Sequence, residues 1–198
     1  MTTLAAALGP VSPRRNRQAT KRHALREQLW PNSGDEFWNR TKNKGFTTIP
    51  RLLPLIMGLI RSLSGRLDPT LLYLELWARV FDEGLVSITN EKELAYSAGY
   101  DGTRAERTMR ERLFKLKELG FIKTHEDGIR EFAHIMLVNP ITRCSELHAE
   151  GKAPDAWWAA FVRRAGEVGA ELPAAKPEHL KRNVGKPQVK PGAAKKPR

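Results

Sequence analysis

Basic side chains are concentrated in one stretch of the chain, residues 103–122, with the sequence TRAERTMRERLFKLKELGFI. Six Lys and Arg residues fall within one predicted helix, at positions 104, 107, 110, 112, 115 and 117. A guanidinium group can bind phosphate or donate two parallel hydrogen bonds to a guanine edge, and a threonine hydroxyl can reach either group. The chemistry that these residue types offer is the binding of a polyanion.

One stripe of this helix is apolar. At about 100° per residue, Met109, Leu113 and Leu116 fall on the same narrow face, which we expect to pack against the core. The outward face is then mostly basic, because only Glu106 and Glu111 oppose the six cations between positions 103 and 117. The alternative is an ordinary solvated helix with ion pairs such as Arg107–Glu111 at i,i+4, although such pairs cannot absorb every Arg.

The positions near the start of this helix are the candidate contacts to nucleic acid. A helix fits the major groove of B-DNA, where its exposed side chains can reach the base edges. We predict that Arg104, Arg107 and Thr108 lie near bases. Thr103 and Arg110 are expected near the backbone or adjacent bases.

A β-hairpin is predicted directly after the helix. Asp127-Gly128 separates two β-prone runs in FIKTHEDGIREFAHIMLV, and an Asp-Gly pair between such runs is a strong hairpin signal. Lys123, His125 and Arg130 are expected close to the hairpin tip, where they could contact phosphate or the minor groove. The alternative explains each of these residues about as well: they are charged residues on an ordinary soluble hairpin, where charge prevents the edge strand from pairing with other chains.

The charge of the chain lies mainly in its two ends. The formal net charge is +12; residues 1–44 carry +6 and residues 173–198 carry +7, so the middle is nearly neutral. Basic arms gain affinity for nucleic acid by releasing its counterions. Basic tails that only aid solubility are the alternative.

Periodicity and capping signals predict a mainly α protein with a small β-hairpin, an α+β fold. Helices are expected over 50–63, with Thr47 or Thr48 as cap, over 69–81 and over 155–168; a short strand is expected over 85–88. Tyr73, Trp77 and Phe81 have core spacing, and Trp157 and Trp158 are expected to pack on the same chain rather than in a dimer contact.

Four segments follow from these patterns. Residues 1–32 are predicted to be a flexible basic arm with at most a short helix. Residues 33–140 form the main domain, which opens with a helical extension and a capping box from Ser33 to Glu36. Residues 141–170 hold a C-terminal amphipathic helix, and residues 171–198 a basic disordered tail.

The order helix, strand, short helix, turn, longer helix, hairpin resembles the winged helix-turn-helix domain. The match covers residues 68–138, about a third of the chain. SITNEKELAYSAGY is similar to the strand, first motif helix and turn, and RTMRERLFKLKELGFI to the recognition helix running into the wing; YDGT departs from the usual short turn. GFTTIPRLLPLIM and ARVFDEG resemble segments of replication and maintenance proteins of bacterial plasmids and integrating elements.

The resemblance implies sequence-specific binding of double-stranded DNA by a transcriptional regulator or a replication or maintenance factor. It implies a cytoplasmic bacterial protein associated with the nucleoid or a plasmid, and a homodimer is compatible with it. The alternative is a winged-helix interaction module, or an RNA binder, whose basic tails engage an acidic protein partner. No catalytic motif, cofactor, metal spacing, secretory signal or membrane span is expected, and the single Cys144 excludes an intramolecular disulfide.

Overall fold

The computed structural model describes residues 13–31, 38–40, 42–81, 83–128 and 130–173. The chain divides into two units, Met1–Phe46 and Thr47–Arg198. The predicted capping box from Ser33 to Glu36, residues 1–12 of the basic arm and residues 174–198 of the tail lie outside the described residues.

The first unit contains helix α1, Pro13–Leu29. This helix is longer than the short one expected within a flexible arm. Its interior has no Gly and is rich in Arg, Ala, Gln and Leu, all strong helix formers, and Pro13 stands at its first position, where Pro is favoured.

The second unit is mainly helical with a small antiparallel sheet, so the predicted α+β class is confirmed. Its helices are α2 (Leu53–Ser64), α3 (Thr70–Arg79), α4 (Glu91–Ser97), α5 (Ala105–Glu118), α6 (Pro140–Ala149) and α7 (Asp155–Val168). The strands are β1 (Leu85–Ser87), β2 (Ile122–Asp127) and β3 (Arg130–Leu137), in the order β1-β3-β2. The predicted hairpin is present as β2 and β3, and β1 extends it to three strands.

Helix α3 lies in the core of this unit. Leu72, Tyr73 and Leu76 are fully buried, and the Tyr73 ring meets the edge of Phe121 at 5.7 Å between centroids. Phe81, however, is 81% exposed, so its assignment to the core was wrong. Because α3 ends at Arg79 and the next residue is extended, Phe81 no longer follows the apolar stripe of the helix.

Polar side chains fix the starts of two helices. Asp68 accepts a hydrogen bond from the Thr70 N–H at 2.9 Å and one from Arg61 Nε at 2.7 Å. Partial burial favours the neutral carboxyl, but the bonds from Thr70 and Arg61 outweigh it and hold the pKa of Asp68 below its ordinary value. Asn90 caps α4, accepting from the Glu93 N–H at 3.2 Å.

Other helix starts differ from the sequence prediction. Helix α2 begins at Leu53 with no side-chain cap, so neither Thr47 nor Thr48 caps it. Residues 141–170 contain two helices instead of one. The sequence signal for α6 was Asn139-Pro140: the Asn139 side chain accepts from the Ile141 and Thr142 N–H groups, and Pro140 stands at the first position.

Helix α7 is attached through its aromatic residues, as predicted for the two tryptophans. Trp157 donates from Nε1 to the Leu55 carbonyl at 3.1 Å and stacks on Phe161 at 4.9 Å between centroids. Trp158 stacks on the ring of His148 at 4.6 Å. These contacts hold α7 against α2 and α6.

Candidate nucleic-acid interface

The turn before α5 determines how its first residues are presented. Helix α4 ends at Ser97, and Gly99 follows its C-cap Ala98 with φ 80°. The Tyr100 N–H then donates to the Ala95 carbonyl at 2.9 Å. Helix α5 begins at Ala105, and Arg104 is its N-cap. Thr103 and Arg104 therefore lie in the turn, where both are exposed.

The predicted inward stripe of α5 is confirmed. Met109, Leu113 and Leu116 are completely buried. On the flank, the Phe114 ring meets the ring of Phe132 on β3 at 4.9 Å and 82°, an edge-to-face contact. The helix thus has one fixed orientation, and the hairpin packs directly on it.

Two arginines face outward near the start of α5. Arg104 forms no ion pair with any described residue. Arg107 has a side chain 80% exposed, and its Nε lies 3.2 Å from Glu111 Oε1, which is the i,i+4 pair named as the alternative. Thr108 is half-buried, so it offers less surface to a ligand than its predicted outward position implied.

Arg110 has a partner that the sequence did not indicate. Its Nε donates to Glu91 Oε2 at 2.6 Å, and the Glu91 side chain is only 16% exposed. The pair joins α4 to α5. Nothing in the local pattern distinguishes Glu91 from Glu93, the other acid in the first turn of α4, because the partner of Glu91 is distant in sequence.

Arg112 is also largely unavailable, because its side chain is only 18% exposed. Its Nη1 lies 3.3 Å from Glu111 Oε2, and its guanidinium carbon lies 5.9 Å from the centre of the Tyr100 ring. This is a cation–π distance, and it connects α5 to the turn that precedes it.

The two lysines at the end of α5 are also paired. Lys115 contacts Glu118 at 3.0 Å, and Lys117 contacts Glu131 on β3 at 3.5 Å. Five of the six basic residues on this stretch thus have carboxylate partners, and Arg104 is the exception within the described residues. Exposed ion pairs contribute about 0–1 kcal/mol to stability, so a phosphate could replace the carboxylates. The carboxylates nevertheless reduce the positive electrostatic potential around the helix.

The hairpin tip is closed by Arg130. Its Nη2 lies 2.8 Å from Asp127 Oδ2 across the turn, and its Nη1 donates to the Ile88 carbonyl at 3.3 Å. Gly128, at φ 61°, supplies the left-handed conformation that the turn needs. Arg130 is therefore near the tip, as predicted, but it also connects the hairpin to the residue that follows β1.

The other two hairpin candidates lie farther down the strands. His125 pairs with His134 in the ladder, and their rings stack at 6.4 Å between centroids. Lys123 pairs with Met136, about 13 Å from Asp127 at ~3.3 Å per residue. Its expected position close to the tip was wrong: it lines a cleft of about 670 Å³ that Lys117 also lines.

Arg143 on α6 also lines that cleft, and no sequence pattern indicated its role. It donates from Nε to the Leu119 carbonyl at 2.7 Å, which satisfies the end of α5. Its Nη1 contacts Glu146 at 3.0 Å and Glu150 at 2.9 Å. Although partial burial works in the other direction, these two carboxylates raise the pKa of Arg143.

Two further findings concern the described residues alone. None of their helices combines the length and apolarity needed to cross a membrane. Their His, Cys, Asp and Glu side chains form no group of three or more that could hold a metal ion. No protein-family model, curated protein or solved structure matches the chain.

Proposed function

We propose that residues 68–138 form a winged helix-turn-helix domain that binds double-stranded DNA in a sequence-specific manner, without catalysis. In this assignment α4 and α5 are the helix-turn-helix, α5 is the recognition helix, and β2–β3 is the wing. The element order and the β1-β3-β2 sheet support the assignment.

The observation that carries the proposal is the state of the two arginines at the start of α5. Arg104 is exposed and has no carboxylate partner among the described residues, and Arg107 is 80% exposed with one exchangeable partner. Because Met109, Leu113 and Leu116 are buried, the opposite side of α5 faces away from the core and is free to contact DNA. Either arginine could donate a bidentate pair to guanine.

The remaining candidates would position the helix rather than specify sequence. Thr103 in the turn and Arg130 at the wing would contact phosphate. Arg110 would contribute less to DNA binding, because it pairs with Glu91. The basic ends of the sequence would add affinity that falls with salt and does not depend on base sequence. A bacterial regulator, or a replication or maintenance factor of a plasmid or mobile element, would use these properties.

A second function is favoured by one specific observation. Carboxylates pair with five of the six cations on α5 and its N-cap, which is typical of a solvated helix face. Under this alternative the domain is a protein-docking or RNA-binding module, and the basic tails engage an acidic partner.

Selection of sites from random-sequence duplex DNA, performed with the full chain at two salt concentrations, distinguishes the two. DNA recognition predicts an enriched site at both concentrations. Arg104→Ala should weaken binding to that site by about 1–3 kcal/mol and relax the preferred sequence. Arg66→Ala is the matched control, because Arg66 is exposed and lies outside the proposed interface. Failure to enrich any site would favour the docking module.

A further inference from the structure

A second basic surface lies between α2 and α7, on elements that the proposed DNA interface does not use. It is a groove of about 350 Å³ with arginines on both walls. Arg51 precedes α2, and Arg163 and Arg164 belong to α7. Residues distant in sequence thus bring three guanidinium groups to one concave site.

Most of this positive charge is unmatched. Arg164 contacts Glu167 at 2.9 Å, and Glu167 also lines the groove. Arg51 and Arg163 are exposed, and neither has an ion pair within the described part of the chain. The groove therefore has a surplus of two positive charges from the four charged residues that line it.

The two walls are held in register by the core beneath them. Trp157 on α7 donates from Nε1 to the carbonyl of Leu55 on α2 at 3.1 Å, and Leu55 is itself a lining residue. Phe161, one turn further along α7, is fully buried and stacks on Trp157. Because α2 and α7 are joined here, the backbone positions that carry the arginines are set before any ligand binds.

The rest of the lining is apolar, and it indicates the type of ligand. Pro54, Leu55 and Ala160 line the same groove as the arginines. This arrangement is complementary to an apolar side chain with carboxylates on both sides, since Arg binds carboxylates through two parallel hydrogen bonds. A sugar–phosphate backbone would meet the arginines but has no apolar side chain for the space between them.

We propose that the α2–α7 groove binds an acidic peptide segment of a partner protein, with an apolar side chain seated on Pro54, Leu55 and Ala160. Carboxylates of the peptide contact Arg51 and Arg163, and one of them displaces Glu167 from Arg164. No residue of this groove lies on α5 or the hairpin. Peptide binding in this groove therefore does not depend on whether α5 binds DNA.

The test is fluorescence anisotropy with the full chain and a labelled heptapeptide that has one leucine between two pairs of acidic residues. Arg163→Glu should weaken peptide binding by about tenfold or more, through lost attraction and new repulsion. Arg66→Glu makes the same charge reversal outside the groove and should change peptide binding less than about twofold, since exposed distant charges are screened.

A second probe examines the apolar contact. Replacing the leucine of the peptide with serine should weaken binding by about tenfold, because the burial of one leucine side chain is lost. Equal losses for Arg163→Glu and Arg66→Glu, or equal affinity for the two peptides, would overturn the proposal. It would also be overturned if Arg163→Glu weakened binding of a random-sequence DNA duplex while peptide binding stayed unchanged.

Discussion

Arg110 Nε and Glu91 Oε2, 2.6 Å apart, join the first turn of α4 to the middle of α5. The carboxylate is largely buried at this contact, whereas the arginine is about half exposed. Of the outward arginines on α5, Arg110 is thus the one with a clear structural role. Together with the buried stripe of α5, it helps to hold α5 against α4.

We expect Arg110→Ala to lower the free energy of unfolding by about 1 kcal/mol, because Glu91 would keep its burial and lose its partner. Urea unfolding followed by circular dichroism measures the change. Arg107→Ala is the control, since its partner Glu111 is more exposed, and it should cost less than about 0.5 kcal/mol. Equal losses would mean that the Arg110–Glu91 pair is an ordinary surface contact.

Neutralising Glu111 should strengthen DNA binding. Glu111→Gln removes a negative charge from the proposed interface and frees both Arg107 and Arg112, so affinity at low salt should rise by about threefold. Anisotropy with a labelled duplex at two salt concentrations measures this gain. Glu118→Gln, at the other end of α5, has the same charge change and should have a smaller effect. An identical response of the two variants would argue against contact through the start of α5.

Gly120 is constrained by both its backbone and its neighbour. It has φ 79°, and a Cβ there would lie 2.7 Å from Arg143 Nε, which bonds the Leu119 carbonyl. Gly120→Ala should cost about 2–4 kcal/mol, of which the left-handed backbone accounts for about 1–2.

Gly128→Ala isolates the backbone part of that cost. Gly128 has φ 61° and open space around its Cβ position, so the variant should lose only about 1–2 kcal/mol. Thermal and urea unfolding of both variants provide the comparison. Equal destabilisation would show that Arg143 moves aside without cost.

The charge of Asp68 should make a small contribution to stability that depends on pH. Because its folded-state pKa is lowered, the contribution is present above the unfolded-state pKa of about 3.9 and is lost as pH falls through the folded-state value. Asp68→Asn retains a side-chain acceptor for Thr70, so it should cost less than about 1 kcal/mol at pH 7. The difference from the wild type should vanish at low pH; a constant difference would exclude the charge as its cause.

Cys144 should be unreactive in the folded chain. It is completely buried, and this burial raises its pKa to about 12, so the nucleophilic thiolate is scarce at pH 8. An aromatic disulfide reagent should therefore label it only when the chain opens, at a rate that rises with urea. Rapid labelling of the native chain would contradict the packing around α6.

The sequence predicted those parts of the fold that depend on local signals. The stripe of Met109, Leu113 and Leu116 and the hairpin turn at Asp127-Gly128 could both be predicted, because each depends on residues that are close together in sequence. The prediction that Phe81 lies in the core was wrong for a related reason. The apolar periodicity continues past Arg79, where α3 ends, and no Gly or Pro at that point indicates the end of the helix.

The candidate site was less predictable, because its electrostatics depend on contacts between elements. Arg107–Glu111 could be expected from i,i+4 spacing. The pair of Arg110 with Glu91 and the bond of Arg143 to the end of α5 each need the tertiary structure. The sequence located the basic helix, but it could not say that Arg104 alone would keep an unpaired charge among the described cations of that stretch.

The strand order has a consequence for the synthesis of the protein. β3 is the central strand of the sheet and the last of the three to be made, so β1 and β2 lack their partner until Leu137 has left the ribosome. Phe114 on α5 likewise waits for Phe132 on β3. The nascent chain can therefore form α5 before the strand β3 that packs against it has been made. A ribosome that pauses before residue 137 leaves β1 and β2 unpaired, and unpaired strands can associate with other chains.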